Sequence, residues 1–198
     1  MRQKRPAFTL LEVLIVMLII GILTSVLILN FQGVRERQEL SLLADKSLAL
    51  LQQAKAEVSR GKVMLDETGE AQYLCEGGLF EVGEVPRWVE APSEAAGTCD
   101  FTQLSTEDYA LSSGNAFVGS IEVGETSLDE ILVFFVPPSG ELQFYDIRGN
   151  TEYDGEMELR FETATFATEA LSGRFVLRAS EDTGFAQLLL DNESNNEE

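Results

Sequence analysis

Phe8-Thr9-Leu10-Leu11-Glu12-Val13-Leu14-Ile15 opens an apolar run that reaches Val34, and Glu12 is the only charge in it. From Val13 to Val34 there is no charged residue, which at about 1.5 Å per residue is enough helix to cross a hydrocarbon core of about 30 Å. The run therefore reads as a transmembrane helix. Arg2, Lys4 and Arg5 stand just before it, so the positive-inside rule keeps that end cytoplasmic and sends the rest of the chain outward. A removable secretory signal is the alternative. It is opposed by the length of the run, by Glu12 inside it, and by Leu23-Thr24-Ser25, a poor substitute for a small-x-small cleavage site. A carboxylate in the middle of an isolated membrane helix costs about 2.5–3.5 kcal/mol, so Glu12 calls for a cationic partner or a route to the headgroups.

Arg5-Pro6-Ala7 followed by Phe8 to Ile15 closely resembles the processing site of type IV pilins and type II secretion pseudopilins. The resemblance implies that a prepilin peptidase cuts between Ala7 and Phe8 and methylates the new amino terminus at Phe8. It further implies that Glu12 neutralises the amino terminus of a neighbouring subunit, and that the partners are other pilin or pseudopilin subunits and an inner-membrane assembly platform. One departure is Ala7, where the family usually has Gly. Both residues are small.

Beyond the membrane segment, Leu40, Leu43, Ala44, Leu48, Leu51, Ala54 and Val58 recur at near-helical spacing, with Arg37, Glu39, Asp45, Lys46 and Glu57 on other faces. The helix is expected to continue to about Gly61, with Gly21 and Gly33 as candidate points of bending. Short strands with turn chemistry follow. Ile131 to Val136 and Glu141 to Ile147 flank Pro137-Pro138-Ser139-Gly140 as a hairpin. Met157, Leu159 and Phe161 alternate with Glu158, Arg160 and Glu162 in the period of a half-buried strand. Phe175 to Ser180 and Phe185 to Leu190 form a second hairpin through Thr183-Gly184. This arrangement is similar to H-type minor pseudopilins and related minor pilins.

The expected fold class is α+β and pilin-like, a long N-terminal helix packed on an antiparallel β head. The expected organisation is a leader over 1–7, a transmembrane and assembly helix over 8–34, and its amphipathic continuation over 35–60. The globular head then occupies 61–190 and a disordered acidic tail 191–198. Cys75 and Cys99 are the only cysteines and fall on the exported side, where a disulfide is the preferred reading and two free thiols the alternative. The intervening stretch carries Gly77-Gly78, Pro86, Pro92 and many acids, so it is expected to be a loop that gains from a staple. Residues 66–109 match no pattern of a known head.

With Asp and Glu at 34 against 14 Lys and Arg, the net charge is −20, and loss of Arg2, Lys4 and Arg5 makes it three more negative. Such a chain is repelled by nucleic-acid phosphates, and only a local cluster of Arg148, Arg160, Arg174 and Arg178 argues the other way. The absence of histidine removes Ser-His-Asp, Cys-His and His-zinc chemistry. Asn150, Glu152, Asp154 and Gly155 imitate half a calcium loop, but Phe161 takes the place of the closing Glu, and a solvated turn is the preferred reading. Trp88 is either a contact aromatic or a buried anchor. No cofactor is expected. The chain reads as a non-enzymatic minor pseudopilin anchored in the inner membrane with its head in the periplasm, or else a minor pilin of a type IV pilus.

Overall fold

The computed structural model describes residues 10–65, 69–95, 98–111, 114–147, 152–153, 155–163, 174–180 and 185–191. The leader, Phe8, Arg148, the turn at Thr183-Gly184 and the tail from 192 onward lie outside the described residues. A single helix, α1 (Leu10–Ser59), runs through Gly21 and Gly33 without a break. Its hydroxyls are satisfied internally, since Thr24 and Ser25 donate to the carbonyls of Ile20 and Gly21 at 2.7 and 2.9 Å. The helix ends where Gly61 takes φ +73°, a left-handed conformation, and donates its N–H to the Val58 carbonyl.

The head contains two antiparallel sheets. The first has the order β10 (Glu152–Tyr153), β9 (Glu141–Tyr145), β8 (Glu130–Val136), β2 (Ala71–Glu81), β3 (Arg87–Ala95) and β4 (Thr98–Cys99). β1 (Val63–Leu65) pairs with β2, and β5 (Ser105–Ala110) pairs with β3. The second sheet has the order β13 (Phe185–Asp191), β12 (Arg174–Ser180), β11 (Glu156–Thr163), β6 (Ala116–Val123) and β7 (Thr126–Leu128). Both hairpins expected from the turn residues are present, β8 with β9 and β12 with β13. The last strand includes Asp191, one residue beyond the expected limit of the head.

The helical stripe decides where the core forms. Leu40, Leu43, Ala44, Leu51, Ala54 and Val58 are buried, Leu48 packs at their edge, and Leu50 joins them. They meet Met157, Leu159 and Phe161 of β11 and Val118, Ile121 and Val123 of β6, together with the inward face of the first sheet. β8 is buried on both faces. Ile131, Val133 and Phe135 enter the helix-side core, while Leu132, Phe134 and Val136 enter a second core with Cys75, Leu79, Val89, Ala91 and Cys99. This explains why β8 is a continuous apolar run whereas β11, covered on one side, alternates.

Residues 66–109 are the principal departure from the sequence reading. The stretch between the cysteines is no loose loop but carries β2 and β3, two of the central strands of the first sheet. Its glycines concealed this. A Cβ on Gly77 would lie 1.8 Å from the Val133 carbonyl oxygen, and one on Gly78 would lie 2.9 Å from Leu50 Cδ2. Both positions read as turn residues, yet they stay bare because a neighbouring strand and α1 approach so closely.

Candidate functional site

The amino-terminal half of α1 has the chemistry of an assembly surface. Its large apolar side chains from Leu10 to Leu23 are exposed, from 48 % at Ile15 to 85 % at Leu10. No face of this stretch is covered by the head, in contrast with the buried stripe that begins at Leu40. Exposed apolar area this extensive requires another apolar environment, either lipid or neighbouring helices. Glu12 is exposed near the first described residue of α1. Among the described residues no helix is long and apolar enough to cross a membrane, and Leu10 to Ser25, where side chains are described, is shorter than the usual span of about 17–25 residues. Ala7 and Phe8 lie outside the described residues.

Where α1 enters the head, Glu39 accepts from the Arg35 guanidinium at 3.0 Å and from the Asn115 backbone N–H at 3.2 Å. Gly114, at φ +71°, lets the chain pass close to this carboxylate, since a Cβ there would lie 2.7 Å from Glu39 Cδ. The start of β6 is thereby tied to the helix.

At the opposite end of α1 the sequence reading missed a polar cluster. Lys62, just beyond the helix, brings Nζ to 2.6 Å from Glu76 Oε1 and 2.7 Å from Glu90 Oε1. Trp88 donates its indole N–H to the same Glu90 oxygen at 3.1 Å. Glu76 is wholly buried; its contact with Lys62 is an ion pair at short range without hydrogen-bond angles, and Oε2 has no donor among the described residues. Burial pushes the Glu76 carboxyl up, against the opposing pull of Lys62. Burial draws the Lys62 ammonium down, but Glu76 and Glu90 more than offset it and hold its pKa raised. The signal was legible, because Glu76 is the lone charge in Leu74-Cys75-Glu76-Gly77-Gly78-Leu79-Phe80, as Glu12 is in its own run.

Cys75 and Cys99 form a disulfide, with sulfur atoms 2.08 Å apart. It fastens β2 to β4 across β3 and holds the following turn, Phe101–Gln103, over the second core. Phe101 stacks obliquely on Phe134 and Tyr145, with centroids 5.4 and 4.6 Å apart. Asp100 caps that turn by accepting from the Thr102 side chain and backbone, and these bonds hold its carboxyl below the usual range.

Trp88 is a buried anchor in β3. Of the arginines considered for nucleic acid, Arg160 and Arg178 both pair with Glu158, at 2.8 and 3.2 Å. Their charges are answered within the sheet. The side chain of Arg174 and all of Arg148 lie outside the described residues, as do Asn150 and Asp154 of the calcium-like segment. Gly155 turns the chain at φ +115°, and Glu152 belongs to the short strand β10.

Residues 2–28 match the family model described as the prokaryotic N-terminal methylation motif. This is the type IV pilin and pseudopilin signal, and here it runs into the N-terminal helix α1, which an antiparallel β head follows, an α+β pilin-like arrangement. A signal of this kind implies processing by a prepilin peptidase and assembly with other pilin-type subunits. No curated protein and no solved structure matches the chain.

Proposed function

We propose that this chain is a minor pseudopilin, a non-enzymatic subunit of the short periplasmic filament of a type II secretion system. The observation that carries the reading is the methylation motif at residues 2–28 joined to a helix whose apolar side chains from Leu10 to Leu23 are bare and whose stripe from Leu40 is seated in a β head. On this reading the peptidase releases Phe8 as a methylated amino terminus, and residues 8–34 anchor the subunit in the inner membrane. Filament entry then replaces lipid around those side chains by the helices of other subunits. Glu12 meets the amine of a neighbour, an exchange that removes the cost of a lone carboxylate in an apolar medium. The order of the last strands, with the Pro-Ser-Gly turn before them, supports an H-type position among the minor subunits.

The acidic head and the pairing of Arg160 and Arg178 with Glu158 support a protein-binding role over capture of DNA. Deletion of the gene in its host, scored for protein secretion and for surface pili, tests the assignment. Loss of secretion with pili intact is the expected result. Loss of pili with secretion intact would assign the subunit to a type IV pilus instead.

A further inference from the structure

Glu76 and Glu90 are direct cross-strand partners on β2 and β3, an arrangement in which like charges repel. Lys62 lies against both, from the link that joins α1 to β1, and its backbone is also fixed there by bonds from Lys62 N–H to the Glu57 carbonyl and from Leu74 N–H to the Lys62 carbonyl. One ammonium thus joins the end of the helix to two strands. The two carboxylates are not equivalent. Glu76 has no exposed surface and no donor to Oε2 among the described residues, whereas Glu90 is partly exposed and also receives the Trp88 indole. The remaining charge bearing on Glu76 is Glu57 of α1, itself paired with Arg60, and its register partner on β8 is Phe135, which carries none.

We propose that Lys62, Glu76 and Glu90 form an acid-sensitive clasp. With both carboxylates ionised, Lys62 ties the end of α1 to β2 and β3 together. One proton taken up by Glu76 leaves it tied to β3 alone. Glu76 is the member that yields first, because burial penalises its charged form and Glu57 and Glu90 add repulsion, with Lys62 alone opposing them. The exported side of a cell envelope follows external acidity, so the device would loosen the Lys62–Leu65 segment as the surroundings acidify while the core around Leu50 and Ala54 stays closed.

Trp88 is the only tryptophan in the chain and bonds to the clasp, so its emission reports the change in the full-length protein held in detergent micelles. Titrated from neutral to acid pH, the wild type is expected to show a transition above the ordinary glutamate value of about 4.3. Glu76→Gln is expected to lose that transition. Hydrogen exchange of the wild type supplies a readout independent of any variant. After correction for the pH dependence of the intrinsic exchange rate, protection of the amides from Lys62 to Leu65 should fall by up to about fivefold below the transition, the change that loss of a partly exposed ion pair brings, with that of Leu50 to Ala54 unaltered. Identical emission curves for wild type and Glu76→Gln, or protection at Lys62–Leu65 that does not respond to acid, would overturn the proposal.

Discussion

The side chain of Leu50 occupies the space over Gly78, with its Cδ2 2.9 Å from where a Cβ would stand, so α1 is seated against the bare backbone of β2. Helix and sheet approach this closely because that one strand position carries no side chain.

Gly78→Ala is therefore expected to destabilise the head by about 1–3 kcal/mol, the usual cost of overpacking. Gly77→Ala should cost more, since its obstacle is the Val133 carbonyl and not a movable side chain end. Urea unfolding of the two variants checks the order, and a Gly78→Ala variant as costly as Gly77→Ala or costlier would contradict it.

Lys62→Met should cost about 2 kcal/mol at neutral pH, less than the loss of a fully buried pair because Lys62 is 39 % exposed. The pH dependence has a definite sign. A buried Glu76 with a raised pKa favours the fold below the ordinary glutamate value, and that contribution is lost as pH rises through the folded value. Without Lys62 the loss grows, so Lys62→Met should be more harmful at pH 7 than at pH 4, and adding Glu76→Gln should restore much of the stability. The raised pKa of Lys62 gives the wild type a contribution that is complete below the ordinary lysine range and fades only above it. Urea midpoints across this range decide the matter.

Reduction of Cys75–Cys99 is expected to remove roughly 3 kcal/mol in the chain-entropy model. Non-reducing peptide mapping of exported protein should recover the linked pair, and the urea midpoint should fall when reductant is added. Free thiols in periplasmic material would contradict the link.

Intact-mass measurement after coexpression with a prepilin peptidase should give a chain that begins at Phe8 and carries one methyl group. A chain beginning before Phe8, or near Val26, would remove the basis of the assembly reading.

Glu12→Val should leave export and membrane insertion intact, because the segment becomes more apolar, yet lower crosslinking to neighbouring subunits. Equal crosslinking and equal secretion would leave apolar packing as the whole of the assembly force.

Much of this architecture is legible in the sequence wherever one period dominates. The stripe from Leu40 to Val58 and the alternation around Leu159 each report a surface covered on one side, and the core lies where they point. β2 and β3 were hidden for a physical reason. A strand covered on both faces does not alternate, and Gly77 and Gly78, which imitate a turn, are there to admit Val133 and Leu50. Glu76 stood out as a lone charge, but its partner Lys62 did not, because only the return of β1 alongside β2 brings that link residue against it.

The unbroken course of α1 has a further consequence, which concerns direction. Glu12 and Leu40 lie on one continuous helix, so the azimuth at which the head faces outward from a bundle of such helices is fixed by the number of residues between them. Each residue added there would swing the head by about 100° around the helix axis, whereas seven would return it to within about 20° of its original bearing. The chain keeps its compass by counting, and an insertion that alters no contact within the head could still point it at the wrong neighbour.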